Sequence, residues 1–255
     1  FHLAAQPLVR QSYKDPLGTW STNVMGSLHI LEALRGLEKK CAVIMVTTDK
    51  VYENREWIYG YRETDQLGGR DPYSASKAAA EIAIKSWQKS FCGIAGYQHS
   101  NLSIATARAG NVIGGGDWSE DRIIPDLVRC LTKNKILKVR NPRSIRPWQH
   151  VLEPLEGYLM MAEKLYQESS DTAESYNFGP DRKNNVSVEE LVNESLKYWH
   201  GSWKSEIDIN APHEASLLHL QTEKAWYGLG WTPKWDFSET VEKTINSLSS
   251  KCSRA

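Results

Sequence analysis

Five polar side chains between Val46 and Lys77 have the types and spacing needed for redox chemistry on a hydroxyl group. Tyr73 and Lys77 are four residues apart, so on a helix they share one face. Because a nearby ammonium favours a phenolate, we expect Lys77 to lower the pKa of Tyr73 and let it take a proton from a sugar hydroxyl during hydride transfer. A tyrosine and a lysine often occur at this spacing by chance. The pair gains weight from Asp71 and Pro72 before it and from the alanine-rich segment after it.

Thr47, Thr48, Asp49 and Lys50 directly follow the apolar run Cys41–Val46, which is typical of a buried parallel strand. Side chains at the carboxyl ends of such strands point into the ligand crevice. A threonine hydroxyl there can bind a substrate oxygen, and a carboxylic acid held protonated can protonate a leaving hydroxyl. The lysine could act as a base or guide the substrate electrostatically. The plain alternatives are a strand-ending threonine and a solvated Asp-Lys turn.

The first residues of the chain could contact a cofactor. Leu3, Ala4 and Ala5 lie in a strand end predicted over residues 1–5, and Gln6 begins the turn after it. Small residues there allow close approach to the backbone, although ordinary packing would explain the alanines equally well. Asn23, near the start of a predicted helix, is a further candidate whose alternative role is a helix cap.

A basic segment is the best candidate for binding a diphosphate, because guanidinium groups match phosphate oxygens. It contains Arg140, Arg143, Arg146 and His150, with Arg122 upstream. The alternative is a solvated basic surface, but the prolines and the tryptophan within the segment favour a ligand site.

Two further expectations concern the histidines. His213 could add a late contact to the substrate, although a loop histidine of this kind is usually inert. The seven histidines and the carboxylates show no metal-ligand spacing, so we expect no metal.

Strands alternate with helices along the chain, which predicts an α/β fold with a parallel sheet. The strands are predicted at Cys41–Val46, Leu102–Ala109 and Ser175–Phe178. The main helices are predicted at residues 19–37, 73–91 and 153–166, with a loop over residues 141–150. Ser187 and Glu190 have the spacing of a capping box, which predicts another helix start.

The composition excludes several classes of partner. Lysine plus arginine and aspartate plus glutamate each count 31, so no net field favours nucleic acid or an anionic membrane. No apolar run approaches the roughly 18–20 residues that a membrane span needs. The four cysteines are scattered, without metal-ligand spacing. We therefore expect a reduced, cytoplasmic compartment, with no nucleic-acid and no membrane partner.

The motifs together resemble the extended short-chain dehydrogenase/reductase superfamily. HLAAQ, NVMGSLHILEA, TTD, YSASK and RAGNVIG follow that family's order, and GGGDW with RPWQHVLEP resembles its CDP-glucose 4,6-dehydratases. The resemblance implies a doubly wound, Rossmann-like parallel sheet whose first βαβ units are missing, with a smaller, mostly helical C-terminal substrate domain. Residues 1–112 and 151–179 would form the NAD-binding part, and residues 113–150 and 180–255 the nucleotide-sugar part.

The same resemblance implies a hydro-lyase with bound NAD, acting on CDP-glucose to supply deoxysugars such as those of lipopolysaccharide O-antigen. Tyr73, assisted by Lys77 and Thr48, would take the C4 hydroxyl proton, and Asp49 would protonate the C6 hydroxyl as water leaves across C5–C6. Lys50 replaces a glutamate of related dTDP-glucose enzymes, so the C5 base stays open. The implied cofactor-binding residues are Leu3, Ala4, Ala5, Gln6, Asn23, Thr47, Tyr73, Lys77 and Ala109. The implied substrate-binding residues are Gln6, Asn111, Arg122, Arg146, His150 and His213.

Two alternatives remain open: a 4-epimerase or reductase of the same superfamily, and a catalytically incomplete Rossmann-like fragment. The family begins with a strand and a glycine-rich pyrophosphate turn that this sequence does not contain. At about 30 residues per βαβ unit, we expect roughly 70–100 residues upstream of Phe1, and we expect this segment alone to be inactive. The resemblance also implies a homodimer through helices 19–37 and 73–91, because members of this family typically form dimers.

Overall fold

The computed structural model describes residues 1–92, 101–168, 174–207 and 217–252 of the 255-residue chain. Its helices are α1 (Val9–Lys14), α2 (Pro16–Trp20), α3 (Gly26–Leu34), α4 (Pro72–Phe91), α5 (Ile123–Thr132), α6 (Leu152–Glu168), α7 (Val188–Tyr198), α8 (Glu223–Leu229) and α9 (Phe237–Cys252). Its strands are β1 (Cys41–Val46), β2 (Leu102–Ala109), β3 (Val112–Ile113), β4 (Leu137–Val139), β5 (Ile145–Pro147), β6 (Gln149–His150), β7 (Ser175–Phe178), β8 (Asn185–Ser187) and β9 (Trp203–Ser205). Among the described residues, no helix is both long enough and apolar enough to cross a membrane.

The main sheet is parallel, with strand order β1-β2-β7. His2 forms a parallel bridge with Met45 and so extends the sheet on the outer side of β1. Because successive side chains of a strand point to opposite faces, β1 and β2 supply two cores. Val43 and Met45 pack with helices α3 and α4 on one face, whereas Ile44 packs with α6 on the other. Helices on both faces confirm the predicted doubly wound α/β fold.

A separate hydrophobic cluster forms beyond β3. It joins α5, α7 and α9 with β4 and with Trp148, which is 3% exposed. Short strands frame this cluster: β3 pairs with β6, β4 with β9, and β5 with β8. This second core faces the carboxyl ends of the main strands.

The capping signals that the sequence predicted are present. Asp71 caps α4 by accepting a hydrogen bond from the Ser74 backbone N–H at 2.9 Å, with Pro72 in the first turn. Ser187 and Glu190 form the predicted capping box at the start of α7. Both caps satisfy N–H groups that would otherwise lack partners.

Two predicted segments differ from the structure. The segment 141–150 was expected to be a loop but contains β5 and β6, because the Trp148 indole N–H donates to the Val186 carbonyl and holds the chain against β8. The single helix predicted over residues 19–37 is instead α2, a π-helical turn at Ser21–Met25, and α3, which ends at Leu34.

Gly157 of α6 allows the helix to lie against the ring of Phe178. A Cβ added there would come within 2.2 Å of the ring carbon Cε1 of Phe178. We therefore expect Gly157→Ala to lower the free energy of unfolding by about 1–3 kcal/mol through overpacking, as measured by urea denaturation. Gly36→Ala is the matched control: an added Cβ meets nothing within 4 Å, so its effect should stay within about 0.5 kcal/mol. Equal stability of the two variants would contradict the packing of α6 on β7.

Candidate active site

A cleft of about 980 Å³ lies between the carboxyl ends of the main strands and the second core. This volume is typical of sites for small molecules and cofactors. Four of the five polar residues between Val46 and Lys77 with the spacing for redox chemistry border this cleft: Thr48, Asp49, Lys50 and Tyr73. Its opposite wall carries the cations Arg10, Arg122, Arg140 and Arg146.

A 3₁₀ turn, Asp49–Val51, follows β1 and arranges the acidic part of the cleft. The Asp49 side chain is almost fully buried, and its Oδ1 accepts hydrogen bonds from the Thr48 hydroxyl and the Lys50 ammonium, both at 3.1 Å. Asp49 Oδ2 faces Gly110, where an added Cβ would lie 3.2 Å away. Since both donors address Oδ1, a proton that Asp49 delivers to a substrate has to be carried on Oδ2.

Tyr73 lies in the first turn of α4 and is 7% exposed. Its backbone N–H donates to the Ser12 hydroxyl at 3.1 Å, which fixes the start of α4 against α1. Burial raises the pKa of Tyr73, opposed by the positive charge of Lys50 and by a hydrogen bond with Thr48. Burial thus leaves the pKa of Tyr73 raised, whereas the sequence predicted that Lys77 would lower it, and the main charge that opposes burial is that of Lys50.

Lys77 is directed towards the strand end instead. Its ammonium donates to the Val46 carbonyl oxygen at 3.3 Å, and burial lowers the pKa of Lys77 to about 8, opposed by the charge of Glu81. An ammonium has three donors, and the bond to Val46 is long. Lys77 therefore keeps donor capacity for the hydroxyl groups of a ligand.

The residues at the start of the chain have two roles. Some form an exposed surface, and others make hydrogen bonds that hold the loop in place. Leu3 and Ala4 are exposed directly beyond the strand residue His2. Asn23, buried at the π-helical turn, accepts from the Gln6 backbone N–H at 2.8 Å and donates to the Ser76 hydroxyl at 2.9 Å. The Gln6 amide also donates to the Thr19 hydroxyl at 2.8 Å. These side-chain groups hold the loop in place, so they support the exposed surface beside them.

The exposed surface fits a dinucleotide cofactor. Apolar Leu3, small Ala4 and half-buried Ala5 offer flat contact area, and the spare donors of Lys77 suit ribose hydroxyls. Ala109 is buried at the end of β2, in the core that α6 forms with the main sheet. The Thr47 hydroxyl is committed elsewhere, because it donates to Glu81 Oε1 at 2.5 Å.

A buried ion pair between Glu81 of α4 and Arg108 of β2 supports the site, and sequence reasoning missed it. Arg108 Nε and Nη2 donate to the two carboxylate oxygens at 3.0 and 2.8 Å, and both side chains are at most 3% exposed. The available signal was a lone arginine inside an apolar strand and a lone glutamate inside an alanine-rich helix. Further bonds to the pair come from Thr47, Thr106, Ser175 and Tyr52.

Carboxylates hold the arginines of the opposite wall. Arg122 donates to Asp117 at 2.9 Å, and Arg140 donates to Asp121 at 2.5 Å. Arg10 approaches the same Asp121 carboxylate at 3.8 Å. Hydrogen bonding to Arg140 lowers the pKa of Asp121, so its carboxylate stays charged beside the cleft. An anionic ligand entering here would compete with Asp117 and Asp121 for these guanidinium groups.

The remaining predicted substrate residues have different positions. Asn111 borders the cleft with its Oδ1 buried and unpartnered among the described residues, and Arg146 borders it as well. His150 does not border it: its ring is buried edge-on against Trp235, with centroids 4.8 Å apart. The structure thus gives no support to His150 as a substrate contact. His213 lies outside the described residues.

The described residues contain no group of three or more His, Cys, Asp or Glu side chains that could hold a metal ion. The polar groups that line the cleft are instead hydroxyls, carboxylates and cations. Such a set can move protons and bind anions, which is the chemistry expected for a nucleotide-sugar site.

Comparison with known proteins gives consistent matches. The sequence profile described as GDP-mannose 4,6 dehydratase matches residues 1–244. The chain is 47% identical to CDP-glucose 4,6-dehydratase of Salmonella typhimurium over 247 residues, covering 96% of this chain and 68% of that protein. It is 25% identical to dTDP-glucose 4,6-dehydratase 1 of Escherichia coli, covering 96% of this chain and 70% of the relative.

One solved structure shows the same fold. UDP-glucuronic acid 4-epimerase from Bacillus cereus, in complex with UDP-glucuronic acid and NAD, superimposes with a TM-score of 0.82 at 20% identity. The match covers 98% of this chain and 75% of the epimerase. The fold and the resemblance inferred from the sequence are thus confirmed. The chain belongs to the GDP-mannose 4,6-dehydratase family of extended short-chain dehydrogenase/reductases.

Proposed function

We propose that this protein is an NAD-dependent lyase that converts CDP-glucose to CDP-4-keto-6-deoxyglucose. The observation that carries the proposal is the buried Asp49 carboxylate, held by Thr48 and Lys50 beside the Tyr73 phenol at one edge of the cleft. Oxidation at C4 needs a proton acceptor, and removal of the C6 hydroxyl needs a proton donor. The 47% identical relative named CDP-glucose 4,6-dehydratase supports the same substrate.

Tyr73 is the proposed acceptor of the C4 hydroxyl proton. When bound, NAD supplies the hydride acceptor for C4 and the hydride donor for C6. Its proposed contacts are Leu3, Ala4 and Ala5, with Lys77 donating to ribose hydroxyls. Thr48, which shares a hydrogen bond with Tyr73, would orient the C4 oxygen towards the phenol. Burial raises the pKa of Tyr73 and disfavours its phenolate, so the charge of Lys50 and the hydrogen bond with Thr48, which oppose burial, favour the form that can accept this proton.

Asp49 is the proposed acid in the elimination. The 4-keto group acidifies the C5 proton. A base in the cleft takes the C5 proton as the C6–O bond breaks, and Asp49 Oδ2 gives its proton to the departing hydroxyl, which leaves as water. The same base returns a proton to C5 when C6 is reduced. The Lys50 ammonium bonds Asp49 Oδ1 at 3.1 Å, which supports an orienting role for Lys50 rather than that of the C5 base.

The basic wall of the cleft is the proposed site of the CDP diphosphate. Arg122 and Arg146 border the cleft opposite the acid, and guanidinium groups bind phosphate oxygens in pairs. Asn111, whose buried Oδ1 has no described partner, would accept a hydrogen bond from the nucleotide sugar. Asn111, Arg122 and Arg146 all border the cleft that lies between the two cores.

The role of Asp49 can be tested by Asp49→Asn, which keeps the size of the side chain but removes its transferable proton. We expect formation of the 4-keto-6-deoxy product to fall by about 10²- to 10⁴-fold while C4 oxidation persists as reduced cofactor on the enzyme. Product is followed by the absorbance of the keto sugar in base, with any coding sequence upstream of Phe1 kept in the expressed protein.

The control for this test is Asp181→Asn, a carboxylate 65% exposed and far along the chain from the acidic turn. It should leave both steps unchanged. If Asp49→Asn formed product at the wild-type rate, the dehydratase mechanism would be wrong, and a 4-epimerase or reductase would fit better.

Nucleotide preference provides a second test. Because the relative at 47% identity is named for CDP-glucose, we expect turnover with CDP-glucose to exceed turnover with dTDP-glucose or UDP-glucose at least tenfold in kcat/KM. The three substrates differ only in the nucleoside, so the keto-sugar assay compares them directly. Equal kcat/KM values for the three substrates would be consistent with a 4,6-dehydratase but would contradict a preference for CDP-glucose.

We also propose a homodimer formed by the helices between residues 16 and 37 together with α4. These helices expose Leu17 (83%), Trp20 (40%), Met25 (46%), Ile30 (41%) and Ile82 (61%), while their opposite faces are buried in the main core. Several exposed large apolar side chains on adjacent helices are typical of an interface.

We expect Ile82→Glu to convert the dimer to a monomer in sedimentation velocity, because a charge would then be buried between copies. Ile58→Glu is the matched control, since Ile58 is 75% exposed but lies outside these helices. A dimer that persists in Ile82→Glu and dissociates in Ile58→Glu would locate the interface elsewhere.

A further inference from the structure

We propose that Glu81 is a positioning residue that keeps the Lys77 ammonium charged and placed against the end of β1. The inference rests on the proposed function in that Lys77 acts there as an ammonium. Glu81 touches neither the cleft nor a reacting atom, so it would act entirely through Lys77 and the strand end.

Glu81 and Lys77 contact neighbouring residues of the same strand end. They are four residues apart on α4, hence on one face of the helix, and both are buried. Lys77 donates to the Val46 carbonyl at 3.3 Å, while Glu81 accepts from the Thr47 hydroxyl at 2.5 Å. These two contacts fix α4 relative to β1 at the point where Thr48 enters the cleft.

Arg108 makes Glu81 a permanent negative charge. Burial alone would raise the pKa of Glu81, but the charge and hydrogen bonds of Arg108, together with the hydrogen bonds of Thr47 and Thr106, lower it. Two parallel N–H···O bonds, at 3.0 and 2.8 Å, fix the carboxylate in one orientation. Lys77 therefore has an ionised carboxylate one helical turn away, in an interior that screens charges poorly.

The charge of Glu81 opposes the effect of burial on Lys77. Burial lowers the pKa of Lys77 to about 8, and Glu81 raises it. Two further titratable groups near Lys77 add no negative charge: His2 has a lowered pKa, through burial and the charge of Lys77, and Tyr73 has a raised one. Without Glu81, the ammonium would lose its proton at a lower pH.

The first test is the pH dependence of kcat/KM in Glu81→Gln. We expect the basic limb, where Lys77 loses its charge, to move to lower pH by about one unit or more. Glu81→Asp, which retains the charge, should return the limb towards its wild-type position. Thr106→Val is the matched control: it removes a 2.9 Å hydrogen bond to Glu81 but no charge, so its limb should not move.

Glu81→Gln leaves Arg108 buried without a counter-charge and could fail to fold. The double variant Glu81→Gln/Arg108→Met removes both charges and should still show the basic limb at lower pH. An unchanged limb in every folded variant lacking Glu81, with only kcat or stability reduced, would assign the ion pair a purely structural role and overturn the proposal.

A second readout does not depend on activity. Since the folded pKa of Lys77 is below that of the unfolded chain, the unfolded state binds more protons between about pH 8 and 10.5, and stability rises with pH there. The difference in unfolding free energy between wild type and Lys77→Met isolates this contribution.

In the Glu81→Gln background, the same difference should begin to rise at lower pH. If no nucleotide sugar is turned over, the proposed function fails, but the stability comparison still decides the role of Glu81. An onset at the same pH in both backgrounds would overturn the inference even in an active enzyme.

Discussion

The ion pair of Glu81 and Arg108 is the constraint on which the arrangement of the site depends. Two charges are stable in a protein interior only if nearly all their donors and acceptors are satisfied. Here the partners come from separated segments: Thr47 after β1, Thr106 within β2, Ser175 of β7, and Tyr52 in the loop before α4. The pair is satisfied only when all these segments are in place. The helix that carries Tyr73 and Lys77 is thereby fixed to all three strands of the main sheet.

The parts of the fold that could be predicted were those with strong local signals. Strand β1 is a continuous apolar run, β2 is mostly apolar, β7 precedes Gly179 and Pro180, and α4 begins with Asp71 and Pro72, so their existence and approximate bounds followed from the sequence. Strands β5 and β6 could not be predicted, because two or three residues show no periodicity and their pairing depends on distant residues such as Val186. The pairing of Glu81 with Arg108 was hidden for the same reason, since the two residues are 27 positions apart in the chain.

The site was predictable where chain order alone brings residues together. Thr48, Asp49 and Lys50 follow one strand end, and the structure places them beside Tyr73 in the cleft. The sequence could not show that Lys77 bonds the Val46 carbonyl, nor that Asp117 and Asp121 hold the arginines opposite, because these contacts depend on side-chain direction. His150 illustrates the converse, for Arg146 and Trp148 of the same segment border the cleft while its own ring packs against Trp235.

The π-helical turn Ser21–Met25 has a consequence for helical phase. The buried residues between positions 16 and 34 are Thr19, Asn23, Ser27 and Leu31, spaced by four. At about 100° per residue, twelve residues of α-helix would turn the last of them about 120° away from the first. The π-helical turn contains more residues per turn and compensates for this rotation, so the same side of the helix faces the core from Thr19 to Leu31. Deleting a single residue here would make the helix regular and rotate Asn23 away from Gln6. The irregular turn therefore allows residues spaced by four to stay buried along the whole segment.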